Sequence, residues 1–213
     1  YADKTVVITD NLIEGTLAEP SIDGQHVDYV VSVEKIGEPS GIVSGTTKIT
    51  KDPVGLKMAQ YAAKVVKASG LLKDGFSFQT GAGGATLAAA KYIKEMMLED
   101  NIKGSFGMGG ITKYMVEMLN EGCFKALIDV QCFDLDAVES IRTNPRHREI
   151  SAMQYASPNA KSCAVDSLDV VILGATEIDT DFNVNVHTDS NGYVMGGSGG
   201  HSDTAAGAKL SMI

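Results

Sequence analysis

Short apolar runs rich in β-branched residues alternate along this chain with segments whose apolar positions recur at helical spacing, which is the pattern of parallel strands joined by crossover helices. Thr5 to Asp10 (TVVITD) and Val27 to Val33 (VDYVVSV) read as strands. Between Pro53 and Ala68 the apolar positions Val54, Met58, Tyr61, Ala62 and Val65 follow a helix, with Asp52 as N-cap, Pro53 at the first helical position and Ser69-Gly70 as the stop. FSFQT then reads as a strand, followed by a glycine turn and a helix over 85–99. SFGMGG opens the next unit, with a helix over 112–120, and KALIDVQCF is the strand after it. A polar stretch from Arg142 to Lys161 separates these units from LDVVILGATEI, a near-continuous apolar strand of the kind buried on both faces. FNVNVHT is expected as an alternating strand before a last glycine-rich turn. Segment 37–52 has a linker-like composition but reads as an ordered loop leading into the Pro53 helix. The expected fold is α/β, an open, mostly parallel sheet flanked by helices, in one domain over 1–213. The start at Tyr1 and the ending AAGAKLSMI, which reads as an unfinished strand, suggest a fragment of a longer subunit.

Composition narrows the chemistry. The 213 residues are 44% hydrophobic and 21% charged, ordinary for a globular chain, and no apolar run is long enough to cross a bilayer. A net charge of −9, with no Lys/Arg cluster interleaved with aromatics, argues against a nucleic-acid partner. Cys123, Cys132 and Cys163 are odd in number and contain no C-x-x-C pair, which fits buried thiols in a reducing, cytoplasmic compartment. His26, His147, His187 and His201 show no metal-ligand spacing, so no metal site is expected.

Three glycine segments fall at the ends of expected strands: TGAGGAT over 80–86, GMGGIT over 107–112 and GGSGGHSD over 196–203. Glycine there lets the backbone approach a ligand closely, and the free N–H groups of a helix start favour an anion or a developing oxyanion. For any single turn, tight packing between strand and helix is the commoner explanation. Three in one α/β chain shift the balance, because open sheets hold ligands at the carboxyl ends of their strands. The first turn lacks the G-x-G-x-x-G spacing of a dinucleotide site, and no Gly-Lys-Ser/Thr marks a P-loop.

GSGGHSDTAAGAK closely resembles the glycine-rich segment of coenzyme A transferases, and GATEIDTDFNVNV, GIVSGTTKITKDPVGLKMAQYAAKVV and FQTGAGGATLAAA resemble the family's strand pair, earlier loop and helix, and first glycine turn. Together with KALIDVQCFDLDAVESI, the chain is similar to the citrate lyase α-subunit branch of that family, in its second half, without the N-terminal half and last strands. The resemblance implies a coenzyme A transferase-like domain. It implies exchange of citrate for acetate on an acetylated acyl carrier protein, whose arm derives from dephospho-coenzyme A, or on acetyl-coenzyme A. A β (lyase) and a γ (carrier) subunit are the implied partners, in an oligomeric complex.

The same resemblance assigns the thioester site to Gly81, Gly83, Gly84, Gly109, Gly110, Gly197, Ser198 and His201, with the N–H groups of Gly199 and Gly200 as oxyanion donors. Many family members carry a nucleophilic glutamate where this chain has Gln131, or, with a shifted alignment, Asp134. An amide cannot form an acyl anhydride, which points to transfer within a ternary complex. Arg146, in the basic group Arg142, Arg146, His147 and Arg148, is a candidate for citrate, against the commoner reading of a solvated loop. Asp203 is expected to cap the helix that follows the last turn. A free acyl-coenzyme A transferase or hydrolase of the same fold, a non-catalytic scaffold half, and a sugar-phosphate isomerase of related fold are the competing readings. The isomerase would need a carboxylate and a lysine beside a glycine turn, and no such pair is evident.

Overall fold

The computed structural model describes residues 2–18, 20–41, 47–157 and 159–213. Part of the loop expected over 37–52 therefore lies outside the described residues. Strands β1 (Val6–Thr9) and β2 (Tyr29–Ser32) pair in parallel as a separate two-stranded sheet. The main sheet has six strands in the order β10-β7-β3-β4-β5-β6, every pair parallel. These strands are β3 (Ser77–Thr80), β4 (Gly104–Ile111), β5 (Phe124–Cys132), β6 (His147–Glu149), β7 (Val170–Ile172) and β10 (Leu210–Met212). A small antiparallel hairpin, β8 (Glu177–Ile178) and β9 (Val184–Asn185), stands apart.

Helix α1 (Pro53–Ala68) forms where its punctuation requires: the Asp52 carboxylate accepts from the Gly55 N–H at 2.7 Å, Pro53 occupies the first turn, and Gly70 follows at φ +74°. Its buried face, however, is the small one. Ala59, Ala63 and Val66 pack inward, while Val54, Met58, Tyr61 and Val65 are exposed. Periodicity thus located the helix and did not select its inner face, because α2 (Gly84–Glu99) offers Ala88, Ala89 and Ala90 in the same core and small residues let helix axes approach closely.

Helices α3 (Lys113–Asn120) and α4 (Leu135–Thr143) complete the layer around Phe76, Phe78, Phe124, Ile93 and Met115 on one side of the sheet. The other side is covered by α5 (Ala152–Tyr155), a 3₁₀ turn over Ala164–Ser167 and α6 (His201–Gly207), around Met108, Val165, Leu168 and Val171. β7 shows the alternation: Val170 and Ile172 face the first cluster and Val171 the second, so it reads as a continuous apolar run.

Five expectations are corrected. The segment 107–111 is not a turn but the second half of β4. Position 107 within this strand takes glycine because a Cβ there would run into the Met115 methyl and come within 2.9 Å of Leu127. The polar stretch 142–161 is not a separator; it holds the end of α4, the edge strand β6 and α5. LDVVILGATEI contributes only Val170–Ile172 to the sheet before Gly174 turns the chain away, and FNVNVHT contributes only Val184–Asn185 to the hairpin. Asp203 does not cap α6, whose N-cap is Gly200 with no side-chain hydrogen bond.

Candidate functional site

In an all-parallel sheet every carboxyl end lies on one edge: the first glycine segment follows β3, the second ends β4, and the third, which comes after the hairpin, meets that edge where His201 contacts Gly174 beyond β7. After β3, the Gly81 N–H donates to the Ile172 carbonyl of β7 at 2.8 Å, and the Thr86 hydroxyl donates to the Gly81 and Gly83 carbonyls at 2.7 and 2.8 Å. Gly84 opens α2 beneath segment 48–50; a Cβ there would lie 3.0 Å from the Lys48 carbonyl oxygen and the Thr50 nitrogen. Close packing thus accounts for Gly84, while Gly81 and Gly83 shape the approach to the N-terminus of the 16-residue α2.

At the end of β4 the register slips. Gly109 pairs with Asp129 and Gly110 with Gln131, so Val130 is the extra residue of a bulge in β5. Gly109 sits at φ +99°, a conformation other residues rarely adopt. The bulge sets Gly110 across from Gln131, which is exposed at the carboxyl end of β5. Asp134, the alternative position, is spent: its carboxylate accepts from the Ala137 N–H at 3.0 Å and the Lys113 N–H at 2.8 Å, holding the starts of α4 and α3 together.

Beneath Gln131 lies a polar cluster that the sequence reading did not find. Asp129, 1% exposed, accepts from the Gln131 N–H at 2.6 Å and the Cys132 thiol at 3.0 Å, and lies 3.1 Å from His147 Nε2. His147 Nδ1 is 2.9 Å from the Ser140 hydroxyl. Of the supposed basic group, His147 therefore points into the core. Burial, the hydrogen bond to Asp129 and the charges of Asp129, Asp134 and Glu149 push the Cys132 thiol far above its ordinary range. Cys132 is accordingly a protonated donor.

The third segment leads into α6. Gly199 has φ +51°, the Ser198 carbonyl accepts from the His201 N–H at 3.0 Å, and the His201 Nε2 meets the Gly174 carbonyl at 2.9 Å. His201 thus ties α6 to the turn after β7. Gly197 is exposed, and Ser198 is half-buried. Gly200 rests on the Tyr155 ring, so closely that a Cβ would overlap it. Tyr155 in turn is bonded to Gln79, whose amide underlies Gly109. The structure therefore gathers the segments after β3, in β4 and before α6, together with Gln131. Arg146 is not gathered. It precedes β6, its carbonyl accepting from Leu127, four residues and about 13 Å down β5 from Gln131.

The sequence signals for the missed residues were faint. Gln79 sits in β3 between Phe78 and Thr80, with Ser77 before them, so nothing distinguishes it from the other polar residues of that strand, and His147 and Tyr155 lie in a stretch whose composition suggests solvent. Among the described residues, no helix is long and apolar enough to cross a membrane.

An open parallel sheet with helices on both faces and this glycine-lined carboxyl edge is a coenzyme A transferase-like α/β fold. The α subunit of malonate decarboxylase from Acinetobacter baumannii shares the fold, with a TM-score of 0.64 at 16% identity over 96% of this chain and 38% of that one. Sequence makes the assignment finer: the model of the family described as citrate lyase, alpha subunit (CitF), matches residues 1–213, and the chain belongs to that family. It is 48% identical to the citrate lyase alpha chain of Haemophilus influenzae and 47% identical to that of Klebsiella pneumoniae, each over all of this chain. A crystal structure described as the α subunit of citrate lyase from Streptococcus mutans, in complex with citrate, superimposes with a TM-score of 0.87 at 48% identity, over 99% of this chain and 42% of that one. The chain spans 43% and 42% of the length of the two curated relatives.

Proposed function

We propose that this chain is part of a two-domain subunit that activates citrate, exchanging it for acetate on an acetyl thioester carried by a dephospho-coenzyme A-derived arm. The observation that carries the proposal is the convergence of three glycine segments and Gln131 on one sheet edge in a chain of this family. In the exchange, a citrate carboxylate oxygen attacks the acetyl carbonyl and the thiolate leaves. The thiolate then attacks the activated citryl carbonyl, and acetate departs with the oxygen that citrate supplied. One C–S bond breaks and one forms, with no redox change. Each step develops negative charge on a carbonyl oxygen, which the N–H groups of Gly199 and Gly200 stabilise. Gln131 orients the carboxylate, and as an amide it forms no covalent acyl intermediate. Gly81, Gly83, Gly109, Gly197, Ser198 and His201 shape the cradle for the thioester arm, while Gly84 makes room for segment 48–50 and Gly110 for the Phe133 ring.

Because the arm belongs to a carrier protein, the subunit works in a cytoplasmic oligomer with the carrier and with a lyase subunit that cleaves the citryl thioester. Arg146 has no role in this scheme. The test is a transfer assay on the full-length protein: acetyl-coenzyme A or acetylated carrier is mixed with citrate, and the products are followed by mass for wild type and Gln131→Glu. Wild type should give citryl thioester without an acyl-enzyme adduct, and Gln131→Glu should lower the rate. No citryl thioester from wild type, or an adduct on it, refutes the scheme.

A further inference from the structure

We propose that Gln79 and Tyr155 form a buried strut that sets the spacing between the β4 bulge and the glycine turn before α6, and so positions the N–H groups of Gly199 and Gly200. The inference rests on the transferase reading above and names positioning residues for it. Gln79 and Tyr155 are each 6% exposed. The Gln79 amide N–H donates to the Tyr155 hydroxyl at 2.9 Å, and the hydroxyl lies 3.0 Å from the Gln79 carbonyl oxygen, to which it donates. Both ends of this pair press on backbone that lacks a side chain. A Cβ on Gly109 would stand 2.7 Å from the Gln79 amide carbon, and one on Gly200 would overlap the Tyr155 ring. Thr204, fully buried, donates its hydroxyl to the Gly200 carbonyl at 2.8 Å and so fixes the orientation of that peptide.

An apolar pair would fill the same space without the cost of burying an amide and a phenol. What the polar pair adds is a single geometry, since amide and hydroxyl meet only in this register and removing either leaves the other one buried hydrogen bond short. Donors aimed at a developing oxyanion need such fixed placement, because small displacements sharply reduce the rate. Burial pushes the Tyr155 phenol up, so it stays a neutral hydroxyl able to donate and accept at once, although the Gln79 and Thr204 hydrogen bonds oppose the shift.

The experiment uses the full-length protein with Tyr155→Phe, Gln79→Leu and the double variant. The phenylalanine keeps the ring under Gly200 and removes only the hydroxyl. Each single variant is expected to lower kcat for acyl exchange about tenfold, with KM for citrate within about twofold of wild type. The double variant should be no worse than the worse single one, since the two act as a unit. Hydrogen exchange should quicken about fivefold or more in segments 105–112 and 196–204 together, and not in α1. Unchanged exchange in either segment, equal quickening throughout the protein, or unchanged kcat in both single variants overturns the proposal. If wild type shows no acyl exchange at all, the transferase reading falls by itself. The exchange comparison then still decides the strut, upheld by coupled quickening of the two segments and overturned without it.

Discussion

Replacing His147 with alanine tests whether the cluster under Gln131 is one buried electrostatic unit. The His147 side chain is 0% exposed and that of Asp129 1%, so removing the imidazole leaves a buried carboxylate facing a void, with only the Gln131 N–H and the Cys132 thiol as donors. Leaving a buried carboxylate uncompensated by deleting its partner costs about 3–5 kcal/mol. Ser140 also loses its partner, and the cavity adds to the loss. Against a total stability of about 5–15 kcal/mol that is a large fraction, equivalent to a drop of about 6–20 °C in Tm for a chain of this size. Asp129→Asn should cost less, because the amide keeps an acceptor for Gln131 and its NH₂ can donate to Nε2 once the imidazole takes its other tautomer. The assay is urea unfolding followed by circular dichroism, completed as a cycle with Asp129→Ala and the double variant. The double variant should be more stable than the sum of the single losses requires, by about 1–3 kcal/mol. A His147→Ala loss below about 1 kcal/mol, or strict additivity, would refute the reasoning.

The hydroxyl of Thr112, 1% exposed, is the buried side-chain oxygen or nitrogen without a hydrogen-bond partner among the described residues, so Thr112→Val should be neutral or stabilising by about 1 kcal/mol in thermal unfolding, where a paired hydroxyl would give a loss. At the amino edge of the sheet, burial pushes the Asp169 carboxyl up, but the Lys209 ammonium at 2.7 Å and the Ser77 N–H and hydroxyl more than offset it and hold the carboxyl below the usual carboxylate range. A depressed folded value stabilises fully above the unfolded value near 3.8 and is lost as pH falls through the folded one, so Asp169→Asn should destabilise at pH 7, by about 0.5–1.5 kcal/mol because solvent around the exposed Lys209 screens the pair. The gap should close as pH falls through the folded value, below the ordinary carboxylate range, as read from urea midpoints across pH.

Much of the architecture was legible where local chemistry and tertiary demand agreed. Asp52, Pro53 and Gly70 bracket α1 because capping groups and φ limits act within a turn or two, whatever packs outside. The glycine segment at 107–111 misled because glycine is also what a sheet needs where Met115 and Phe133 cross its face, and one chain does not reveal the neighbour. β6 was hidden for the opposite reason: its inward residue, His147, is polar, and its burial depends on a carboxylate 18 positions earlier. In the site, the glycine edge and Gln131 could be reached through spacing and family resemblance. Gln79 and Tyr155 could not, since their pairing joins residues 76 positions apart through one hydrogen-bonded ring.

The state of the cysteines has a practical consequence for labelling. Cys123 and Cys163 are buried, and burial, with Glu121 nearby, pushes the Cys123 thiol up. Cys132, the one partly accessible thiol, gives its proton to Asp129 as a hydrogen bond and remains protonated at neutral pH. Maleimides and iodoacetamides react with thiolates, so all three native positions should react slowly in the folded chain. A cysteine introduced at an exposed site such as Lys57 would then take a fluorophore or spin label selectively, without first removing the natural ones.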